Sequence, residues 1–155
     1  ENVSGRHVGW GDGVYRSRDG GMTWENVGLP HSEHISKILV HPEDGNVILV
    51  AAEGPLWSAG GDRGVYRSTD GGENWTAVLT IDEDTGATDL EFHPTDPSIV
   101  YAATFQRRRH TWGYMAGGEG SGIWKSTDGG ANWRCRFRFD FDETGVKTDC
   151  FSITS

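Results

Sequence analysis

Gly64-Val-Tyr-Arg-Ser-Thr-Asp-Gly-Gly-Glu-Asn-Trp75 is the stretch that decides the fold, because the chain carries it three times. The other copies are Gly13-Val-Tyr-Arg-Ser-Arg-Asp-Gly-Gly-Met-Thr-Trp24 and Gly122-Ile-Trp-Lys-Ser-Thr-Asp-Gly-Gly-Ala-Asn-Trp133. The first five residues of each copy read as a short strand, and the Asp-Gly-Gly that follows reads as a tight turn. Asp19, Asp70 and Asp128 are placed to accept backbone N–H bonds from residues further round that turn. Glycines such as Gly21, Gly72 and Gly130 supply the positive φ at which a Cβ would clash. Ser17, Ser68 and Ser126 precede the aspartates, and Trp24, Trp75 and Trp133 close the copies with rings large enough to staple the turn to a strand. All of these residues are therefore expected to be structural.

The closing tryptophans stand 51 and 58 residues apart. That period suits one four-stranded propeller blade with loop insertions. The intervening segments repeat as well: Ser36-Lys-Ile-Leu-Val-His-Pro42 matches Thr88-Asp-Leu-Glu-Phe-His-Pro94. Each is followed by an apolar run, Val47–Ala52 and Ile99–Ala103, which reads as a buried strand. Each unit is thus strand A, strand B, a variable loop, strand C, the Asp-Gly-Gly turn, and strand D beginning at the tryptophan. Near the C-terminus, Asp142-Glu-Thr-Gly145 followed by Lys147-Thr-Asp-Cys-Phe151 parallels Asp82–Gly86 followed by Ala87–Glu91, so another unit begins there.

The expected fold is all-β, with four-stranded antiparallel blades of a β-propeller. Residues 1–155 form one segment, in which 1–30 end one blade, 31–80 and 81–140 are full blades, and 141–155 supply the first strand of a further blade. An open sector leaves the apolar faces of its end blades uncovered. Its expected partners are the remaining blades of a larger propeller or other copies of the chain.

Composition narrows the function. No apolar run approaches the roughly 20 residues of a membrane helix, so membrane insertion is not expected. A net charge of −9 argues against nucleic acid, whose phosphates draw proteins with a surplus of Lys and Arg. Cys135 and Cys150 are too few for a disulfide framework and lack zinc-site spacing. On strands D and A, the outermost and innermost of a blade, they are expected not to pair with each other. The polar stretch from Glu1 has neither a basic nor an apolar leader region, so no signal peptide is expected within it.

The Ser-x-Asp-Gly-Gly-x-x-Trp element resembles the Asp-box of BNR repeats. That motif occurs in sialidases, xyloglucan-degrading glycoside hydrolases, sortilin-like (VPS10) receptors and propeller-type photosystem II assembly factors. The whole chain is most similar to the sortilin-like propellers of large secreted bacterial proteins, often labelled glycosyl hydrolases. The resemblance implies an extracellular or periplasmic setting. Because one motif serves both enzymes and receptors, function has to be sought in a site.

In a propeller the Asp-Gly-Gly turns lie on one face, and the B–C and D–A loops on the other. The three B–C loops each contain one tryptophan, Trp10, Trp57 and Trp112. Aromatic rings on adjacent loops suit stacking on sugars or on apolar peptide side chains. With Arg107, Arg109 and Tyr114 they form the candidate ligand-binding set. Consecutive Arg107, Arg108 and Arg109 on an extended chain point alternately, so they do not converge on one anion. Pairing with Asp82, Glu83 and Asp84 is the structural alternative. The leading reading is a non-catalytic binding module for peptide, protein or glycan.

The alternative is a glycoside hydrolase, xyloglucanase-like or sialidase-like, acting through loop carboxylates. Glycosidases place two carboxylates across a cleft, and Glu53, Asp82 and Asp84 are the candidates. The Arg-Ile-Pro motif that sialidase likeness implies is missing. Neither cofactor nor metal is expected. Asp140–Phe151 imitates an EF-hand loop without its closing Glu. Asn2-Val-Ser4 and Asn74-Trp-Thr76 are formal glycosylation sequons.

Overall fold

A computed structural model describes residues 9–138 with their side chains, and beyond them the backbone of two short strands. β1 (Val14–Arg16) and β2 (Glu25–Gly28) form an antiparallel pair. β3 (Ile35–Val40), β4 (Ile48–Ala52), β5 (Gly64–Ser68) and β6 (Thr76–Leu79) form a four-stranded sheet in chain order. β7 (Thr85–His93), β8 (Asp96–His110), β10 (Gly122–Ser126) and β11 (Arg134–Arg138) form the next, and β9 (Gly113–Ala116) pairs with the far end of β8. All these pairings are antiparallel. β12 (Asp140–Asp142) pairs with β13 (Gly145–Lys147). The proposed EF-hand likeness, Cys150, Asn2 and the strand expected after residue 147 lie outside the described residues.

Two differences from the sequence expectation have simple causes. Strand D begins one residue after each tryptophan, at Glu25, Thr76 and Arg134, because the tryptophan still belongs to the turn. The third variable loop is largely not a loop. β8 runs on through His110 and turns over Thr111 and Trp112 into β9, since His110 pairs with Gly113.

The turns themselves are built alike. In the second copy, Ser68 Oγ donates to Asp70 Oδ1 at 2.8 Å and accepts from Gly72 N at 2.8 Å. Asn74 donates its backbone N–H to Asp70 Oδ1 and its amide to Asp70 Oδ2. Ser17, Asp19 and Thr23 repeat the set, as do Ser126, Asp128 and Asn132. Both glycines of each turn have positive φ, for example 73° at Gly71 and 93° at Gly72. Bonds from the Asn74 side chain, the Asn74 backbone and Ser68 lower the Asp70 pKa to about 2. Thr23 does the same for Asp19. At Asp128 burial pushes upward, but the bonds from Asn132 and Ser126 outweigh it and again give about 2.

The sheets stack face to face. Leu49, Ala51, Val65 and Leu79 of the middle sheet share a core with Ala87, Leu90, Val100, Ala102 and Trp124 of the next. On the other side, Val50 packs with Val14 and Leu29, flanked by Tyr66 and Trp75. Polar ties cross the same seams. Arg16 donates to the Gly71 carbonyl and Arg67 to the Gly129 carbonyl, so strand C of one blade holds the turn of the following one. Trp75 Nε1 reaches back to Val27 O of the preceding blade at 2.8 Å. Trp24 and Trp133 instead close on their own turns, at Gly21 O and Gly130 O. By register, Tyr101, Ala103 and Ile123 of the third sheet occupy the positions of Leu49, Ala51 and Val65. Ile123 is 39% exposed where Val65 is fully buried, because no sheet among the described residues covers it.

Truncating Leu49, which has no exposed surface, removes methyl groups from the seam between sheets. Leu49→Ala is expected to cost about 2–5 kcal/mol by urea unfolding. Met22→Ala, at an 85% exposed side chain, should stay within about 0.5 kcal/mol.

The depressed aspartate pKa values set a pH window. A carboxylate whose pKa is lower in the folded state stabilises above its ordinary value, and that contribution is lost as pH falls toward the folded value. The urea midpoint should therefore drop between the ordinary value of 3.8 and about 2. Asp70→Asn should make that part of the pH profile shallower.

Candidate functional site

On the face opposite the Asp-Gly-Gly turns, three segments converge: the loop 53–63, the D–A segment 82–84 and the β8–β9 hairpin. Backbone bonds lock them together, from Gly60 N to Glu83 O, Arg107 N to Asp84 O and Arg109 N to Leu56 O. The loop 53–63 is anchored by the buried side chains of Leu56 and Arg63. Arg63 is 3% exposed, and its guanidinium donates to the carbonyls of Glu53, Pro55, Ser58 and Gly60. Burial lowers its pKa, with Arg107 adding repulsion, against the attraction of Asp84, Asp82 and Glu33. Sequence reading missed Arg63. The available signal is a loop rich in Gly and Pro whose inward carbonyls require donors.

The consecutive arginines part as a strand requires. Arg107 turns inward, where Nη2 lies 2.7 Å from Glu53 Oε2 without the alignment of a hydrogen bond; both side chains are buried. Arg108 turns to Asp84 Oδ1 at 3.1 Å, with Glu83 Oε1 at 4.0 Å. Arg109 lies between two rings, its guanidinium carbon 4.7 Å from the Tyr114 centroid and 5.9 Å from that of Trp57. Beside it His110 stacks on Trp112, 5.0 Å between centroids and 13° from parallel.

None of the three loop tryptophans is folded away. Trp10 is 74% exposed, Trp57 49% and Trp112 85%. The structure gathers Trp57, Arg109, Trp112 and Tyr114 around the hairpin, whereas Trp10 stands apart, in a cleft with Pro30, Glu33 and Pro55.

The carboxylates named as catalytic candidates have structural engagements. Glu53 faces Arg107. Asp82 accepts from Asp84 N and Thr85 Oγ1 at 2.8 Å each, capping its own turn. Asp84 holds Arg108. His41 and His93 accept turn N–H bonds from Glu43 and Thr95. Among the described residues, no group of three or more His, Cys, Asp or Glu is placed to hold a metal ion.

The family model described as Sortilin-Vps10 (sortilin, neurotensin receptor 3) matches residues 12–142. The chain belongs to the Sortilin-Vps10 family. Among solved structures it is similar to the crystal structure of an ancestral GH74 enzyme, with a TM-score of 0.59 and 23% identity. That likeness covers 83% of this chain and 16% of the enzyme, so the chain spans under one sixth of the enzyme's length. It is a likeness of fold, and it agrees with family membership that these sheets are blades of a β-propeller, present here as a partial set. Comparison with curated protein sequences returns no match.

The buried Glu53–Arg107 pair yields a stability test. Arg107→Met removes the positive charge that faces the buried Glu53 carboxylate and should cost about 3–5 kcal/mol. Glu53→Leu combined with Arg107→Met should be less destabilised than Arg107→Met alone in the same urea titration.

Proposed function

We propose that this chain supplies part of a non-catalytic ligand-binding face in an extracytoplasmic propeller, and that it binds peptide, protein or glycan through its variable loops. The observation that carries the reading is the cluster at the β8–β9 hairpin. Trp57, Tyr114 and Trp112 are all substantially exposed, and Arg109 is braced between two of them. Exposed aromatic side chains gathered on one surface mark interaction sites rather than core. Arg109 adds a planar donor whose orientation is already fixed, so little freedom is lost on binding. Membership in a family described by the name of a receptor fits this reading and its extracytoplasmic setting.

A glycosidase reading is weaker. Proton transfer needs two carboxylates open to substrate, and Glu53, Asp82 and Asp84 are held by Arg107, a turn and Arg108 respectively.

Screening the protein against immobilised peptides and glycans tests the reading. Trp57→Ala and Trp112→Ala should each weaken any interaction found by roughly tenfold or more. Unchanged binding in both variants would refute the loop-face assignment. Reducing-end release from polysaccharides or sialosides, abolished by Glu53→Gln or Asp82→Asn, would refute the non-catalytic one.

A further inference from the structure

Trp10 belongs to a second feature of the loop face, a cleft of about 450 Å³ between the first two blades. Its size falls within the roughly 300–1,000 Å³ usual for small-ligand sites. Trp10, Pro30 and Pro55 form apolar walls, and His31, Glu33 and Ser58 supply polar atoms.

Two independent observations distinguish this cleft. The first is backbone strain. Among the described residues, the only non-glycine positions with positive φ are Leu29 at 57° and Glu33 at 51°, which bracket the segment lining the cleft. Such conformations are strained for a residue with a Cβ and persist where the surroundings enforce them. Here Ser32 N bonds Leu29 O, His34 N bonds Ser32 O, and Gly11 N bonds Glu33 O at 2.7 Å. Asp62 clamps the segment from the next loop, accepting from His31 N at its carboxylate and donating its own N–H to His31 O.

The second observation is a carboxylate with no direct partner among the described residues. Glu33 has no ion pair or side-chain hydrogen bond among the described residues, although most other loop-face carboxylates are engaged. Arg63 attracts it at longer range, but the Arg63 donors go to loop carbonyls and not to the Glu33 carboxylate. A carboxylate lining a cleft beside a 74% exposed indole suits a cation, which gains from both the charge and the ring face. The net charge of −9 favours the approach of a positive ligand.

We propose that the Trp10–Glu33 cleft receives the cationic side chain, arginine or lysine, of a bound peptide. The proposal rests on the loop face being a binding surface and adds the ligand chemistry at one end of it. Trp10 packs on the aliphatic stem or guanidinium plane, Glu33 pairs with the charge, and Pro30 and Pro55 exclude water along the stem.

Titrating the ¹⁵N-labelled protein with acetyl-Gly-Arg-Gly-amide, and separately with acetyl-Gly-Glu-Gly-amide, provides the test. The arginine peptide should shift the Trp10 indole N–H and the Gly11 and Glu33 amides, and the glutamate peptide should not. Glu33→Gln and Trp10→Ala should each weaken binding at least about fivefold. Glu43→Gln, an exposed carboxylate on an A–B turn, should change it less than about twofold. Absent shifts at those three signals, or an equal loss in Glu43→Gln, would overturn the proposal. The variants at Trp57 and Trp112 leave this cleft intact, so the two readings fail separately.

Discussion

A sheet with two apolar faces is not stable by itself, and every part of this structure depends on how those faces are covered. In the middle blade, Leu49 and Val65 face one neighbour and Val50 and Tyr66 the other, because side chains alternate along each strand. The core therefore lies between blades, and a blade's stability belongs to its seams as much as to its own hydrogen bonds. Solenoids and other repeat folds follow the same nearest-neighbour logic. It explains why Ile123 and Trp24 are exposed although their counterparts Val65 and Trp75 are covered.

Polar groups align the seams that apolar burial drives. The hydrophobic effect is non-directional and by itself sets no angle or register between the sheets. A hydrogen bond from Arg67 to the Gly129 carbonyl is directional, since it weakens steeply with misalignment. Arg16 and Gly71 repeat this tie at the preceding seam, which makes it a property of the repeat. The turn must be rigid to present its carbonyl in the right place, and the bonds that close Asp70 and Asp128 around their own loops supply that rigidity.

What could be read in the sequence follows from which interactions are local. The Ser68, Asp70, Gly72 and Asn74 bond set spans seven residues, so its chemistry is visible in the string and recurs as a motif. The strands were legible for the same reason, through alternation and apolar runs. The Arg67–Gly129 tie joins residues 62 positions apart, and the Arg107–Glu53 pair crosses from one blade to the next. Those partnerships depend on register and stacking, which no local pattern encodes. Arg63 was opaque for a different reason: its partners are backbone carbonyls, which every residue carries. The aromatic residues of the loop face were legible as candidates, but Trp10 and Trp57 look alike in the string and occupy different surroundings in the fold.

The two faces of the blades differ in how much chemistry remains available. On the turn face, both carboxylate oxygens of Asp70 are occupied within the turn, and the repeat holds all three copies to the same geometry. On the other face the connections differ in length and composition, and lengthening such a loop costs only slowly increasing closure entropy. Variation therefore accumulates there without loosening the seams, provided each loop finds its own internal support. Arg63 supplies that support in the second blade and the β8–β9 pairing supplies it in the third. Because these devices satisfy the loop backbones from within, Trp57, Trp112 and Tyr114 are not needed for the core and stand at the surface. Binding residues can then change from blade to blade while the scaffold beneath them stays the same.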